Sequence, residues 1–236
     1  MYKYIITGAT GWLGKNLLHA IFNGISNDNN LTPLNQNERV LLLLLPGERL
    51  NVEGVDAQRV DVVFGSLTQN DRVDEFCKLG GGAVLIHTAG IIHPKKHTAE
   101  LFDVNYTGTK NLLTIAKNKG VKKAVVVSSN SPIGCNPYRE HRFTEDSPYN
   151  PYMSYGKSKM QMELAVKEIQ NDDFPCVLIR APWFYGPNQP ARQLEFFSMI
   201  KSGRVPVVGA GMNYRSMVYL ENLAQGILLA LSLIHI

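Results

Sequence analysis

The chain contains little cysteine: three residues among 236, namely Cys77, Cys135 and Cys176. They lie far apart in the sequence, and no Cys-x-x-Cys pair occurs, so neither a disulfide framework nor a zinc site is indicated. Unpaired cysteines of this kind are typical of proteins from a reducing compartment. We therefore expect a cytoplasmic protein without a metal site.

Long hydrophobic runs are also missing. The longest uninterrupted apolar run covers residues 40–45 and ends at Pro46. A membrane-spanning helix needs roughly 20 apolar residues, so this run is far too short. A strand-like segment begins within the first few residues, and we therefore also expect no signal peptide and no membrane partner.

Neither sign of charge dominates the sequence, and the basic residues are scattered along it. The 24 Lys and Arg residues exceed the 20 Asp and Glu residues by four, and short basic pairs occur only at residues 95–96 and 122–123. Because basic clusters with interleaved aromatic residues are absent, we expect no nucleic-acid partner. A mildly basic surface suits small anionic ligands such as dinucleotides or sugar nucleotides.

Alternating apolar strands and amphipathic helices fill the remaining sequence. The candidate strands are continuously apolar, which is typical of a parallel sheet covered on both faces. They cover residues 4–7, 40–45, 60–64, 83–88, 124–128 and 176–180, and helical patterns cover residues 13–22, 72–78, 100–119 and 154–170. This alternation predicts an α/β fold with a doubly wound parallel sheet, the Rossmann arrangement, which binds ligands at the carboxyl ends of its strands.

Two regions with different functions are expected in the chain, although no linker separates them. We expect residues 1–187 to form the nucleotide-binding domain and residues 188–236 to form a small, incomplete substrate-binding region interleaved with it. The apolar helical pattern at residues 223–236 has no polar cap, which indicates a truncated end. Residues 23–38 are predicted to form a long loop, and residues 132–153 a loop that walls the ligand site.

A glycine-rich turn follows the first strand, in the sequence Thr-Gly-Ala-Thr-Gly-Trp-Leu-Gly of residues 7–14. Gly8 permits a tight turn, because glycine takes positive φ at little cost. Gly11 lets the backbone approach a phosphate, and Gly14 lets the following helix pack closely on the strand. The amino end of that helix, near Trp12, is suited to an anion. The turn therefore predicts that a dinucleotide pyrophosphate binds here.

A second motif places a tyrosine and a lysine on one face of a helix. Tyr155 and Lys159 are four residues apart, so their side chains are neighbours on a helix. A neighbouring ammonium and an oxidised nicotinamide lower a tyrosine pKa, and such a tyrosine exchanges a proton with an alcohol or a carbonyl. The spacing alone is common. It gains meaning here because it follows the glycine turn and a strand that ends in Ser128 and Ser129.

Further motifs complete a recognisable series. They are HTAG at residues 87–90, Asn105 in VNYTGTKNLL, YGKSK at residues 155–159, RAPWFYGP at residues 180–187 and VYLENLA at residues 218–224. With the glycine turn, this ordered set resembles the extended short-chain dehydrogenases/reductases of the NAD-dependent epimerase/dehydratase family. That group includes enzymes like dihydroflavonol reductase and 3β-hydroxysteroid dehydrogenase. The resemblance covers about residues 3–230.

The resemblance implies an enzyme that moves hydride between a nicotinamide and a hydroxyl or carbonyl carbon. Its substrate would be a small molecule, such as a sugar nucleotide or a steroid-like or flavonoid-like compound. Tyr155, Lys159 and a serine, for which we favour Ser129, would be catalytic. The positions that would contact NAD or NADP are Gly8, Thr10, Gly11, Trp12, Leu13, Gly14, Ser66, Leu67, Thr88, Ala89, Gly90, Asn105, Ser128, Tyr155, Lys159, Ala181 and Pro182.

The sequence departs from the family pattern at three places. Counting from the fifth strand places Asn130 where the family has its hydroxyl, so Ser129 or Ser131 must serve instead. Ser66 occupies the place of an aspartate near the adenine. After the second strand, Glu48 and Arg49 offer one group suited to the ribose hydroxyl of NAD and one suited to the phosphate of NADP. The sequence leaves that choice open.

Several alternatives also remain open at this stage. A net oxidoreductase and a redox-neutral epimerase share the same parts, whereas a dehydratase usually adds an acidic pair beside the serine. A non-catalytic dinucleotide sensor or scaffold is the second class of function, and the chain could form a homodimer. His87 is expected to be a packed residue beside the cofactor, and His93 and His97 are expected to lie in a loop rather than to bind metal. The aromatic residues 183–185 could either pack in the core or line the substrate-binding site.

Overall fold

A computed structural model describes residues 1–25, 31–94, 98–207, 209–212 and 214–233. The interpretations made for His97, for the basic pair at residues 95–96 and for residues 234–236 fall outside this part of the chain. The same is true of residues 26–30 within the predicted loop that follows the first helix.

Six parallel strands form the main sheet, in the order β3-β2-β1-β4-β5-β6. Every neighbouring pair in it is parallel. The strands are β1 (Tyr2–Thr7), β2 (Arg39–Leu44), β3 (Val60–Phe64), β4 (Val84–His87), β5 (Lys123–Ser129) and β6 (Cys176–Ala181). The predicted doubly wound parallel sheet is thereby confirmed.

Seven helices connect or flank the strands of the described residues. They are α1 (Trp12–Asn23), α2 (Asn70–Leu79), α3 (Ala99–Phe102), α4 (Thr109–Asn118), α5 (Met153–Ile169), α6 (Ala191–Lys201) and α7 (Leu220–Leu233). A π-helical turn, Asp103–Gly108, joins α3 to α4, and a short 3₁₀ turn, Ala57–Arg59, precedes β3. Within the described ranges, no helix is both long and apolar enough to cross a membrane.

A second, two-stranded sheet pairs β7 (Trp183–Tyr185) with β8 (Met217–Tyr219). Neither strand was predicted, because each has three residues and its partner lies about thirty residues away in the sequence. Helix α6 was also missed, since it buries no residue and has no clear apolar stripe.

Two apolar layers sandwich the main sheet. On one face α1 and α7 pack over residues such as Leu42 and Ile86, and on the other face α2, α4 and α5 pack over residues such as Leu85. Leu223 and Ile227 of α7 are buried in the first layer beside α1. Helix α7 therefore belongs physically to the main core, while the division of function at residue 187 stays a prediction.

The strand order reverses between β1 and β4, which opens a crevice at the carboxyl ends of these two strands. His87, at the end of β4, is fully buried beside this crevice. Its ring nitrogens lie 2.6 Å from the Thr7 hydroxyl of β1 and 2.8 Å from the Thr109 hydroxyl of α4. Burial, aided by the charge of Lys159, lowers the pKa of His87 from 6.5 to about 3.

Replacement of His87 by Gln is expected to reduce the acid sensitivity of the fold. In the unfolded chain His87 takes up a proton below about pH 6.5, whereas the folded protein resists this until about pH 3, so stability is lost as the pH falls through that window. Between pH 7 and pH 4 the wild type should lose on the order of 3 kcal/mol more unfolding free energy than His87→Gln. Urea unfolding at each pH measures this difference, and equal losses would contradict it.

Candidate active site

The glycine turn between β1 and α1 is built by close backbone contacts. Gly8 has φ of +77°, and a Cβ there would lie 2.6 Å from the Ala89 nitrogen. A Cβ on Gly14 would lie 2.1 Å from the Gly8 carbonyl oxygen, whereas a Cβ on Gly11 would meet that oxygen at 3.2 Å. The fold therefore requires glycine at positions 8 and 14, while glycine at position 11 keeps the surface of the turn bare.

Helix α1 begins at this turn with its amino end open. Gly11 is the N-cap, and among the described residues no side chain caps the helix and no acidic residue occupies its first turn. Its first amide groups and the positive end of its dipole are therefore available to an anion. The Trp12 indole donates to the Pro187 carbonyl at 2.7 Å and packs against Phe184, whereas the Leu13 side chain is buried in the core.

A carboxylate approaches the turn from the end of β2. Glu48 accepts a hydrogen bond from the Thr10 hydroxyl at 2.9 Å and another from the Leu45 backbone N–H at 2.9 Å. These two bonds fix the Glu48 carboxylate beside the glycine turn. The side chain of Thr10, which was predicted to contact the cofactor, is therefore engaged with Glu48 in this structure.

The turn after β3 holds Ser66 and Leu67. The Ser66 backbone N–H donates to the Gln69 side chain at 2.8 Å, and the Ser66 hydroxyl lies 3.0 Å from that of Thr68. Leu67 is buried against Gly108, where an added Cβ would come within 2.9 Å of the Leu67 side chain. The Ser66 hydroxyl is thus engaged within its own turn, while Ser66 stays a candidate for contact with the adenine.

The loop after β4 contacts both the glycine turn and α5. The Thr88 hydroxyl donates to the Thr7 carbonyl at 2.8 Å, and the Ala89 N–H reaches the Thr7 hydroxyl at 3.4 Å. A Cβ on Gly90 would lie 3.1 Å from Asn105 Oδ1 and 3.4 Å from Lys159 Nζ. The bare backbone of Gly90 therefore lets this loop approach the lysine.

Asn105 lies in the π-helical turn and is fully buried. Its amide exchanges two hydrogen bonds with the Ile91 backbone, each 2.8 Å long, and also donates to the Ser158 hydroxyl at 3.1 Å. Asn105 thus ties the loop after β4 to α5. Single π turns inside helices recur at functional sites, because they re-aim the side chains around them.

Tyr155 and Lys159 lie on the first turns of α5, as predicted from their spacing. Lys159 is only 5 % exposed, and its ammonium donates to the Val127 carbonyl at 3.1 Å and to Met162 Sδ at 3.5 Å. Burial lowers the pKa of Lys159 to about 8, and the charge of Glu163 opposes this shift. Burial raises the pKa of Tyr155, against the effect of a hydrogen bond with Ser129. In the protein by itself, the Tyr155 pKa is therefore raised, contrary to the lowering expected from the neighbouring ammonium.

The two serines that end β5 face different neighbours. The Ser128 hydroxyl is buried and donates to Glu163 Oε1 at 2.6 Å. The Ser129 hydroxyl lies 3.1 Å from the Ser131 hydroxyl and reaches Asn130 Oδ1 at 3.4 Å, and it is close enough to Tyr155 to lower the pKa of that residue. The structure therefore brings together Ser129 and Tyr155.

The end of β6 completes the edge of the site. Ala181 is buried opposite Ser129 in the sheet, and its carbonyl accepts the Asn130 N–H at 3.2 Å, while Pro182 follows half-buried. Trp183 packs against Phe196 and Phe197 of α6, with ring centroids 5.0 and 5.9 Å apart. These aromatic residues form a half-buried layer beside the site rather than part of the main core.

The residues that sequence reasoning missed lie one layer below Lys159. Glu163 is fully buried and forms an ion pair with Arg180 at 2.8 Å, and it also accepts a hydrogen bond from the Tyr149 hydroxyl at 3.0 Å. A signal was present, since Glu163 follows Lys159 by four residues and so shares its helix face. Elsewhere in the described part of the chain, no group of three or more His, Cys, Asp or Glu side chains could hold a metal ion.

The comparisons with known proteins agree with this geometry. The model of the NAD dependent epimerase/dehydratase family matches residues 4–235. The chain is 47 % identical to the uncharacterized protein y4nL of Sinorhizobium fredii, over 96 % of this chain and 63 % of that protein. It is 31 % identical to a decarboxylating sterol-4-alpha-carboxylate 3-dehydrogenase of Bos taurus, over 80 % of this chain and 54 % of that protein. The chain thus spans less than two thirds of each of these two relatives.

Solved structures share the fold. A dTDP-glucose 4,6-dehydratase, DesIV of Streptomyces venezuelae, with NAD and TYD bound, superposes with a TM-score of 0.76 at 24 % identity, over 97 % of this chain and 71 % of that one. A UDP-glucose 4-epimerase of Thermus thermophilus in complex with NAD gives 0.75 at 23 % identity, over 97 % of this chain and 74 % of that one. The resemblance inferred from the motifs is therefore confirmed at the level of family and fold.

Alanine at position 14 is expected to destabilise the protein far more than alanine at position 11. The Gly14 Cβ would overlap the Gly8 carbonyl at 2.1 Å, and backbone atoms on both sides would have to move, whereas the Gly11 Cβ has only one contact, at 3.2 Å. Gly14→Ala should cost about 3 kcal/mol of unfolding free energy, and Gly11→Ala less than about 1 kcal/mol. Chemical denaturation of both variants beside the wild type measures these costs; similar losses would show that the turn adapts freely.

Proposed function

Because the chain belongs to the NAD-dependent epimerase/dehydratase family, we propose that it transfers hydride between a nicotinamide dinucleotide and a small molecule. The substrate carbon would carry a hydroxyl or a carbonyl group. The observation that carries the proposal is that Tyr155, with Ser129 close enough to lower its pKa, shares the first turns of α5 with the buried ammonium of Lys159. These residues lie at the same sheet edge as the glycine turn.

The residues of this edge fit a dinucleotide. The bare turn at Gly11 and the uncapped amino end of α1 would hold the pyrophosphate. Ser66 and Leu67 would lie toward the adenine. The residues proposed for the nicotinamide half are Thr88, Ala89, Gly90, Ala181 and Pro182, with Lys159 holding the ribose.

Two of the predicted contact positions act indirectly in this proposal. The Ser128 hydroxyl is committed to Glu163, and the Asn105 amide is committed to Ile91 and Ser158. Both residues would therefore support the cofactor site by fixing the backbone around it.

The chain supplies the proton chemistry. A nicotinamide held at this edge would supply the hydride chemistry. Tyr155 would take the proton from a substrate hydroxyl during oxidation, or return it to a carbonyl oxygen during reduction. Ser129 would donate a hydrogen bond to that same oxygen. The Lys159 ammonium would favour the tyrosinate form of Tyr155, against the effect of burial on the Tyr155 pKa.

The same parts serve net oxidation, reduction and epimerisation. The chain is similar to proteins named as a ketoreductase, a sterol dehydrogenase and an epimerase. We therefore propose the shared chemistry, at a hydroxyl or carbonyl carbon, and not one substrate. A non-catalytic sensor would bind the dinucleotide equally well, but it would have no use for a tyrosine placed beside Ser129 and one helical turn from a buried lysine.

We further propose that the cofactor is NAD rather than NADP. The Glu48 carboxylate is fixed at the end of β2 by Thr10 and by the Leu45 N–H. An acidic side chain in this region binds the ribose hydroxyls of NAD and repels the additional phosphate of NADP. The contact with Thr10 supports Glu48, over Arg49, as the residue that makes this choice.

Replacement of Tyr155 by Phe is expected to abolish turnover while leaving dinucleotide binding intact, because it removes only the proton-transfer group. With sugar nucleotides, steroids and aldehydes as the substrate panel, turnover should fall at least about 100-fold for any substrate that the wild type converts. NADH fluorescence titration should give an unchanged affinity. Tyr2→Phe, at the amino end of β1 and so at the opposite edge of the sheet, is the matched control. Full activity in Tyr155→Phe would refute the mechanism.

Removal of the Glu48 carboxylate is expected to relax the choice of cofactor. In fluorescence titrations the wild type should bind NADH at least about tenfold more tightly than NADPH, a difference of about 1.4 kcal/mol, and Glu48→Gln should reduce this ratio toward one. Glu53→Gln, at an exposed glutamate further along the same segment, should keep the wild-type ratio. Equal binding of both nucleotides by the wild type would argue against the role of Glu48.

A further inference from the structure

A buried carboxylate lies directly behind the lysine of the proposed site. Glu163 is 0 % exposed, and it sits one helical turn beyond Lys159 on the same face of α5. A charged group buried so completely is costly unless it is paired and hydrogen-bonded. Helix packing alone does not require a glutamate at this position, so the partners of Glu163 indicate what it does.

Four hydrogen-bond donors converge on Glu163 from three elements. Arg180 of β6 donates through Nε and through Nη2, the latter at 2.8 Å. Ser128 of β5 donates at 2.6 Å, and Tyr149 of the loop before α5 donates at 3.0 Å. The carboxylate is therefore fully satisfied and held in one place.

The two charges of the Glu163–Arg180 ion pair differ in their exposure to water. The Arg180 side chain is 19 % exposed, it also donates to the Glu145 carbonyl, and its guanidinium lies over the Tyr149 ring. Glu163 is completely shielded from water and lies one turn from Lys159. Since water screens the guanidinium more than the carboxylate, the negative charge of the pair acts more strongly on the lysine.

The other neighbours of Lys159 provide no negative charge. Its ammonium contacts the Val127 carbonyl and Met162 Sδ, which are neutral. Strand β4 brings His87, which stays neutral, and α5 itself brings Tyr155. The π-helical turn brings Asn105 close to the same point.

Charged groups further along the packed helices are paired with each other. Lys110 of α4 lies 3.7 Å from Glu168, which is more than two turns beyond Lys159 on α5. Within the described ranges, Glu163 is therefore the carboxylate that acts on the Lys159 charge.

We propose that Glu163 is a positioning residue of this site, which keeps the buried Lys159 ammonium charged, and that Arg180 limits the strength of this effect. The role rests on the proposed function, in which a charged Lys159 favours the tyrosinate form of Tyr155. Glu163 touches neither substrate nor cofactor in this proposal. It acts through Lys159, across one turn of α5.

The proposal predicts opposite effects for the two members of the ion pair. Glu163→Gln keeps the size of the side chain, replaces one acceptor oxygen by an NH₂ group and leaves the Arg180 cation uncompensated, so Lys159 should lose its proton at lower pH. Arg180→Gln leaves the Glu163 anion uncompensated, so Lys159 should keep its proton to higher pH. A purely structural role gives no reason for two shifts of opposite sign.

The measurement is an NMR titration of protein labelled with ¹³C-lysine, without substrate or dinucleotide. The spectrum of Lys159→Arg identifies the Lys159 ε-carbon signal by its absence. The midpoint should be near pH 8 in the wild type, as the Lys159 pKa of about 8 implies. It should fall by about one pH unit in Glu163→Gln and rise in Arg180→Gln. Shifts of the same sign, or no shift in either variant, would overturn the proposal.

Two further variants serve as controls for the titration. Glu168→Gln, on the same helix but outside the site, should leave the midpoint unchanged; a shift there equal to that of Glu163→Gln would overturn the assignment. The double variant Glu163→Gln/Arg180→Gln removes both charges and should fall between the two single variants. If Glu163→Gln does not fold, the direction of the shift in Arg180→Gln decides alone.

Turnover separates this inference from the proposed function. With any substrate that the wild type converts, the alkaline limb of the pH profile should move in the same direction as the NMR midpoint in each variant. If the NMR midpoint moves while the alkaline limb of the turnover profile does not, Glu163 sets the charge of Lys159 without affecting catalysis. That result would overturn its positioning role. A wild type without any turnover would defeat the proposed function, while the NMR result would still report on the ion pair.

Discussion

The burial of the Lys159 ammonium is the constraint on which the carboxyl edge of this sheet depends. A cation removed from water needs acceptors and a compensating charge, and the fold provides both through the Val127 carbonyl and Glu163. Glu163 in turn needs donors, which it finds in Arg180, Ser128 and Tyr149. Polar groups from two strands and one loop thus converge behind one buried charge.

A second set of buried polar groups holds the crevice next to this lysine. His87 bridges Thr7 and Thr109 as a neutral ring, which joins β1, β4 and α4 without adding charge. Asn105 clamps the backbone of Ile91 and so brings the loop after β4 against α5. Because every member is hydrogen-bonded, this network gives the site one defined arrangement rather than several.

The fold could be predicted from the sequence because its signals are local. Continuous apolar runs mark strands buried on both faces, and the bounds expected for β3 match the structure while those of the other main strands differ by one or two residues. Strands β7 and β8 could not be predicted in the same way. Each has only three residues and is stabilised by its pairing with the other, which depends on the tertiary fold.

The features of the candidate site also fall into two groups, those set within one segment and those set by contacts between distant segments. By itself the sequence determined the glycine turn and the placement of Tyr155 and Lys159 on one helix face, because both depend on spacing within a single segment. Only the tertiary structure decided which serine meets Tyr155, that Glu48 contacts Thr10, and that Glu163 and Arg180 lie behind Lys159. Those contacts join distant segments, and the direction of a side chain at a strand end cannot be counted from the sequence. The burial that sets their charges exists only once the sheet and its helices have packed.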